Sequence, residues 1–185
     1  MLQLSELTIN WHILEACNYD CYFCYAKYGQ KSIFSRHYAK ILRELGTLNG
    51  RRIDFQNGCV IAESVRINFA GGEPFLEKEL GQAIALAFDL GLRPSFISNG
   101  SLLTDDFIMK FGPMISVAGF SVDSFDDEQN RRIGRQDNRG TQVGYERMAD
   151  IFRAFRQVSP NTLLKINTVV CRENVSDDLT LPLCE

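Results

Sequence analysis

Stretches with a two-residue apolar period alternate with stretches of helical period along most of this chain, and few architectures accept that order. Residues 8 to 14, TINWHIL, alternate Ile9, Trp11 and Ile13 with Asn10 and His12, as a strand between two environments does. From Ser35 to Leu48 the apolar positions Tyr38, Ile41, Leu42, Leu45 and Leu48 recur at helical spacing, and SVRINFA at 64 to 70 is again a strand. A helix near 76 to 90, a strand at 95 to 98, a helix near 104 to 110 and a strand at 115 to 121 follow. A helix over roughly 142 to 157, with Tyr145, Met148, Ala149, Phe152 and Phe155 on one face, then leads to a fifth strand at 162 to 170. Right-handed crossovers between such strands leave the helices outside a parallel sheet. The expected fold is therefore α/β, a partial TIM-like (βα) barrel, with an open doubly wound sheet as its competitor.

Two stretches stand apart from this rhythm. Residues 49 to 63, NGRRIDFQNGCVIAE, exceed the usual length of a helix-to-strand link and read as a surface insertion. The polar region Asp126 to Gln142 has no regular period and reads as a long loop on the active-site side. The sequence ends in TLPLCE soon after the fifth strand, too early for a six- or eight-stranded barrel. The expectation is a single domain over residues 1–185, apparently truncated after about five strands.

Cys17, Cys21 and Cys24 fall within eight residues directly after the first strand, whereas Cys59, Cys171 and Cys184 are scattered. Such clustering reads as metal ligation rather than as a disulfide framework. Thiolates at C-x3-C-x2-C can hold three corners of a cubane [4Fe-4S] cluster from one loop, leaving one iron open to a substrate or cofactor. A structural zinc ion would need a fourth ligand from His12, His37 or Cys59, with no regular zinc spacing to support it. Three unrelated buried cysteines are the remaining alternative.

Charge matters here because 20 Lys+Arg against 23 Asp+Glu leave a formal net charge of -3. Nothing in that balance suggests bulk electrostatic capture of nucleic acid or acidic lipid, so any anionic ligand has to be held locally. The longest unbroken apolar run, Ala83 to Phe88, is far short of the roughly 20 residues that cross a bilayer. Met1 to Asn10 lacks the pattern of a signal peptide, and the expected compartment is the cytoplasm.

Several polar residues fall where strands end. Asn68 to Pro74 runs through a Gly71-Gly72 pair, whose missing side chains allow close backbone approach to a ligand, and Glu73 adds a negative charge. Ser98-Asn99-Gly100 and Ser121-Val122-Asp123 close the next two strands, at the barrel face where active sites sit, although helix capping alone would account for either. Strand parity sorts the rest. With Val65, Ile67, Phe69, Leu164 and Ile166 turned toward helices, Asn10, His12, Arg66, Asn68, Lys165 and Asn167 face inward. Buried cations need anionic partners, so Arg66 and Lys165 imply either a polyphosphate or carboxylates such as Glu73 and Asp123. His12 reads as a satisfied core histidine.

The C-x3-C-x2-C signature, with the aromatic Phe23 just before its last cysteine, resembles that of the radical S-adenosylmethionine (SAM) superfamily. That resemblance implies a [4Fe-4S] cluster on Cys17, Cys21 and Cys24 and SAM on the open iron. It also places Phe23 against the adenine, and Gly71, Gly72 and Glu73 at the methionine amino group. The ordered run CNYDCYFCYAK, RINFAGGEPFL, SNGSLL, SVDSFDDEQNRRIGR and LLKINTVVCRENV is similar, more narrowly, to the viperin-like branch, from about Asn10 to Asp178. By this resemblance Ser121, Arg135, Asn99 and Asn167 contact SAM, whereas Asn10, Arg66, Asn68 and Lys165 contact the nucleotide or its phosphates. The implied reaction dehydrates a nucleoside triphosphate, typically CTP, to a 3′-deoxy-3′,4′-didehydro chain terminator in antiviral defence. An electron donor such as a flavodoxin or ferredoxin is implied, and direct nucleic-acid binding is not. Arg66 stands where animal relatives have lysine and Ala70 where they have serine. Alternatives are another radical SAM reaction, such as peptide modification, or a non-catalytic iron-sulfur-binding fragment.

Overall fold

A computed structural model describes residues 2–25, 32, 34–56 and 58–176; Cys184, Asp178 and the terminal TLPLCE lie outside the described residues. Strand β1 (Leu2–Leu14) leads through the cysteine loop to helix α1 (Phe34–Gly46). Strands β2 (Arg52–Phe55) and β3 (Gly58–Gly71), helix α2 (Leu80–Asp89), strand β4 (Arg93–Ser98) and helix α3 (Asp105–Phe111) follow. Strand β5 (Val117–Ser121), helices α4 (Asp127–Ile133) and α5 (Tyr145–Val158) and strand β6 (Leu163–Asn167) complete the order.

The strands form one six-stranded sheet in the order β1-β3-β4-β5-β6, with β2 on the side of β3. All pairings along that path are parallel. Among the described residues β1 and β6 end that path without pairing with each other, so the α/β sheet is a barrel closed only in part. Its outer face is apolar for the reason parity gives. Val65, Ile67 and Phe69 of β3, Phe96 of β4 and Phe120 of β5 are fully buried, with Leu42, Ile84, Ile108, Ile151 and Phe155 of the helices in the same core. Aromatic rings meet edge to face through this layer, as in Phe96 against Phe120 at 5.7 Å.

Two expectations change. Residues 49 to 63, expected as a surface insertion, carry a strand: β2 pairs antiparallel with the start of β3, with Arg52 opposite Ile61 and Phe55 opposite Gly58. The first half of β3 continues the parallel ladder with β1, where Leu2 faces Val60. Consequently β1 starts well before residue 8. Its apolar parity changes partway, from Leu2 and Leu4 to Leu7 and Ile9, and that phase break hid the early half.

The loop expected at 126 to 142 contains α4. Asp126 caps it by accepting from the Gln129 amide at 2.8 Å, Asp127 and Glu128 occupy the first turn, and Arg131 and Arg132 the last. Gly134 ends it in the left-handed conformation, φ 82°. Of its seven residues only Asn130 and Ile133 are buried, too few to make a helical period visible.

Candidate active site

The strand C-termini open onto a cavity of about 340 Å³. Cys17, Cys21, Cys24 and Phe23 line it from the cysteine loop, and Gly71, Gly72 and Glu73 from the end of β3. Asn99, Ser121 and Arg135 line it from the next two strand ends and the α4 terminus, while Asn10 and Asn68 lie further down the strands. Most of the residues selected in the sequence therefore converge.

The cysteine loop is held by backbone on two sides. Gly72 N–H donates to Leu14 carbonyl and Glu73 N–H to Ala16 carbonyl, each at 2.9 Å. A Cβ on Gly72 would lie 1.9 Å from the Ala16 oxygen, so this approach requires glycine. Beyond Cys17, Asp20 N–H donates to Gly134 carbonyl at 3.2 Å and Tyr22 N–H to Ile133 carbonyl at 3.0 Å. Gly134 also lies too close for a side chain, its added Cβ meeting the Asp20 oxygen at 2.2 Å. The Gly-Gly turn and the α4 terminus thus grip the loop from opposite sides.

Glu73 is 1% exposed and braces the neighbouring turn. One carboxylate oxygen accepts from Ser98 hydroxyl at 2.8 Å and from Phe75 N–H at 3.1 Å; the other accepts from Asn99 N–H at 2.9 Å. Burial pushes its carboxyl above the usual carboxylate range despite these donors. Asn99 then donates to Asn18 at 2.9 Å and approaches Cys17 Sγ at 4.0 Å.

Arg135 occupies the opposite wall. Its guanidinium donates to Ser121 carbonyl at 2.5 Å, lies 3.9 Å from Cys21 Sγ and covers the Tyr19 ring at 5.6 Å. Asp123 Oδ2 is 3.0 Å from Arg135 Nη1 but out of hydrogen-bond alignment, so charge rather than a directed bond holds the pair. Asp123 Oδ1 accepts from Val169 N–H at 2.8 Å. Burial pushes both Cys17 and Cys21 thiols up, Cys21 to about 11. Ligation would have to displace those protons.

Among the described residues no three His, Cys, Asp or Glu side chains gather tightly enough to hold one metal ion. The three thiols line a cavity instead of a point, which suits a cubane that takes each thiolate on a different iron. Cys59 and His37 do not line this cavity, whereas His12 does. The residues present therefore fit the cluster better than a closed zinc site.

Three residues expected at the site stand apart. Asn167 pairs in register with Ser121, and its side-chain Nδ2 is buried without a partner. Lys165 lies opposite Gly119, on the cavity's side of the sheet, but is exposed. Arg66 sits below the cavity, paired with Glu6 at 2.6 Å and not with Glu73 or Asp123. Tyr19 and Arg93 had not been singled out: Tyr19 lines the cavity, and Arg93 joins Glu6 and Arg66 below it. Ser98 and Asp123 each left a visible trace, in Ser98-Asn99-Gly100 and Ser121-Val122-Asp123 at the strand ends.

The model of the radical SAM superfamily matches residues 11–180. This chain belongs to that superfamily. The cofactors that go with membership are a [4Fe-4S] cluster and SAM, and Cys17, Cys21 and Cys24 would hold the cluster. An S-adenosylmethionine-dependent nucleotide dehydratase of Psychrobacter lutiphocae is 36% identical over 179 residues, covering 95% of this chain and 60% of the relative. One from a Fibrobacter species is 34% identical, covering 100% of this chain and 54% of the relative. The chain thus spans little more than half the length of these relatives. Streptococcus suis SuiB bound to precursor peptide SuiA shares the fold, with TM-score 0.62 and 18% identity over 91% of this chain and 34% of SuiB. No helix among the described residues is long and apolar enough to cross a membrane.

Proposed function

We propose that this chain forms the core of a nucleotide dehydratase that acts on a nucleoside triphosphate, CTP foremost, in antiviral defence. The observation that carries this reading is one polar stripe running down the inner face from the cysteine cavity. Asn68 donates to Asn10 at 2.8 Å and accepts from Ser95 hydroxyl at 3.0 Å, both on the cavity floor side. One strand period further, Arg66 lies opposite Arg93. A ligand with a polar sugar and an anionic tail matches that order.

A bound cluster and SAM would supply a 5′-deoxyadenosyl radical to take the 4′ hydrogen of the ribose, and loss of the 3′ hydroxyl as water, with one further electron from the electron donor and a proton, would give the 3′-deoxy-3′,4′-didehydro nucleotide. The chain's own residues position and shield. Phe23, Gly71, Gly72, Glu73, Asn99, Ser121, Arg135 and Asn167 form the SAM side. Asn10 and Asn68 orient the sugar, and Arg66 and Lys165 hold phosphate oxygens through charge-assisted hydrogen bonds. The whole of residues 1–185 acts as one domain, in the cytoplasm, fed by a flavodoxin or ferredoxin.

The test is anaerobic reconstitution with iron and sulfide, addition of SAM and reductant, and quantification of 5′-deoxyadenosine with and without CTP. A CTP-dependent rise is expected. No response to CTP with an intact cluster would overturn the reading and leave another radical SAM reaction in its place.

A further inference from the structure

The inner face below the cavity carries a charge arrangement that neither the cluster nor SAM uses. Glu6, Thr8 and Arg66 share one side of β1 and β3, Thr8 lies opposite Arg66, and Arg66 lies opposite Arg93. One oxygen of Glu6 accepts from Arg66 Nε at 2.6 Å, and the other lies 3.0 Å from Arg93 Nη1. Arg66 Nη2 donates to Thr8 hydroxyl at 2.9 Å. A single carboxylate thus sits between two guanidinium groups contributed by neighbouring strands.

The row is not a closed structural lock. The side chains of Glu6 and Arg66 are each 23% exposed and that of Arg93 is 52% exposed. Each guanidinium has five N–H donors. Among the described residues no partner occupies Arg66 Nη1, or Arg93 Nε and Nη2. Two positive charges share one negative, and exposed Lys165 adds a third cation to the same face of the sheet. The surplus faces the end of the polar stripe.

We infer that Glu6 is an internal competitor for the phosphate tail: it holds Arg66 and Arg93 in place while repelling any anion that approaches them, and so sets which phosphate chain lengths bind. The inference rests on the proposed nucleotide reading and adds Arg93 to the phosphate contacts. A carboxylate bridging two arginines keeps both forks oriented toward one point when no ligand is bound. An entering phosphate gains those oriented donors but meets the charge of Glu6. A monophosphate, with few oxygens to share between two arginines, gains less than a triphosphate that spans both. Glu6 is thereby a specificity-determining residue, discriminating by phosphate number.

Glu6→Gln keeps one oxygen for Arg66, removes the charge and puts an NH2 group in place of the oxygen beside Arg93. Equilibrium binding of cytidine, CMP, CDP, CTP and inorganic tripolyphosphate to wild type and variant, with cluster and SAM loaded, reads the effect. The expected result is about tenfold tighter CTP and tripolyphosphate binding in Glu6→Gln, about 1.4 kcal/mol, with a smaller gain for CMP and none for cytidine. Arg93→Gln should weaken CTP and tripolyphosphate by a similar factor and leave cytidine unchanged. Unchanged CTP and tripolyphosphate affinities in both variants, or an equal gain for cytidine, would overturn the inference. Tripolyphosphate separates it from the nucleotide reading: if no nucleotide binds wild type yet Glu6→Gln still tightens tripolyphosphate, the nucleotide reading falls and the role of Glu6 stands. Should Glu6→Gln not fold, Arg93→Gln decides on the same probes.

Discussion

At the cavity rim, main-chain hydrogen bonds from Gly72, Glu73, Asp20 and Tyr22 hold the cysteine loop, and the supporting carboxylates Glu73 and Asp123 are each 1% exposed. Lower on the same inner face, Glu6, Arg66 and Arg93 are held only by partly exposed side chains. The rim is built once and does not rearrange cheaply, because its partners are backbone atoms at van der Waals limits. The arginine row, on the proposed reading, would exchange one anion for another at little cost to the fold. A cofactor that must meet three fixed thiols suits the first construction, and a substrate that enters and leaves at every turnover suits the second.

The largest expected effect tests the rim. Gly72→Ala would force a Cβ to 1.9 Å from the Ala16 carbonyl, and neither atom has a flexible side chain to give way. The expected loss is about 4 kcal/mol or more of stability, read by chemical denaturation, with iron content after reconstitution falling in parallel. A variant with wild-type stability and full iron content would mean that the Gly72 clamp is not what shapes the loop. Next comes Asp123→Ala, which strands the Arg135 charge in a buried site. It should cost about 3 kcal/mol and weaken SAM binding, since Arg135 then loses its anchor opposite Cys21.

Why the sheet and the rim were visible in the sequence, and the row was not, follows from the kind of signal each leaves. Val65, Ile67 and Phe69 alternate with Arg66, Asn68 and Ala70 without a break, so the two faces of β3 could be read directly. The cysteine spacing and the Gly-Gly pair are local patterns, legible within a few residues. Glu6 lies in the half of β1 where the apolar phase changes, and Arg93 opens a short strand whose face is set only by pairing with β3. Their meeting is a product of register, which no single segment carries. Arg66 was expected to need an anion, and Glu6 supplies one from a strand segment that parity left unread.

A smaller effect should come from pH at Glu73. Its folded carboxyl titrates above the unfolded value, so between the two the unfolded chain has released its proton while the folded chain retains it. Stability from this group therefore falls as pH rises through that window. Glu73→Gln removes the slope but leaves the Asn99 N–H facing an amide, at a cost of about 1–2 kcal/mol. The wild type's advantage over the variant should be largest near the ordinary carboxylate range and shrink with rising pH, in denaturation curves taken from acid to neutral. An advantage that grows with pH would show that the three donors outweigh burial.

The smallest expected change belongs to the row. Arg93→Gln removes an ion pair whose arginine side chain is 52% exposed, and such pairs contribute about 0–1 kcal/mol. Its denaturation midpoint should stay close to wild type, because Arg66 still holds Glu6 and the strands are paired by their own backbone. A loss as large as that of Asp123→Ala would mean that Glu6 staples β1, β3 and β4 together. The lower face would then be as rigid as the rim, and an entering phosphate would have to break a structural element to reach Arg66. Near-wild-type stability combined with a changed phosphate preference is the result that separates an exchangeable row from a fixed one.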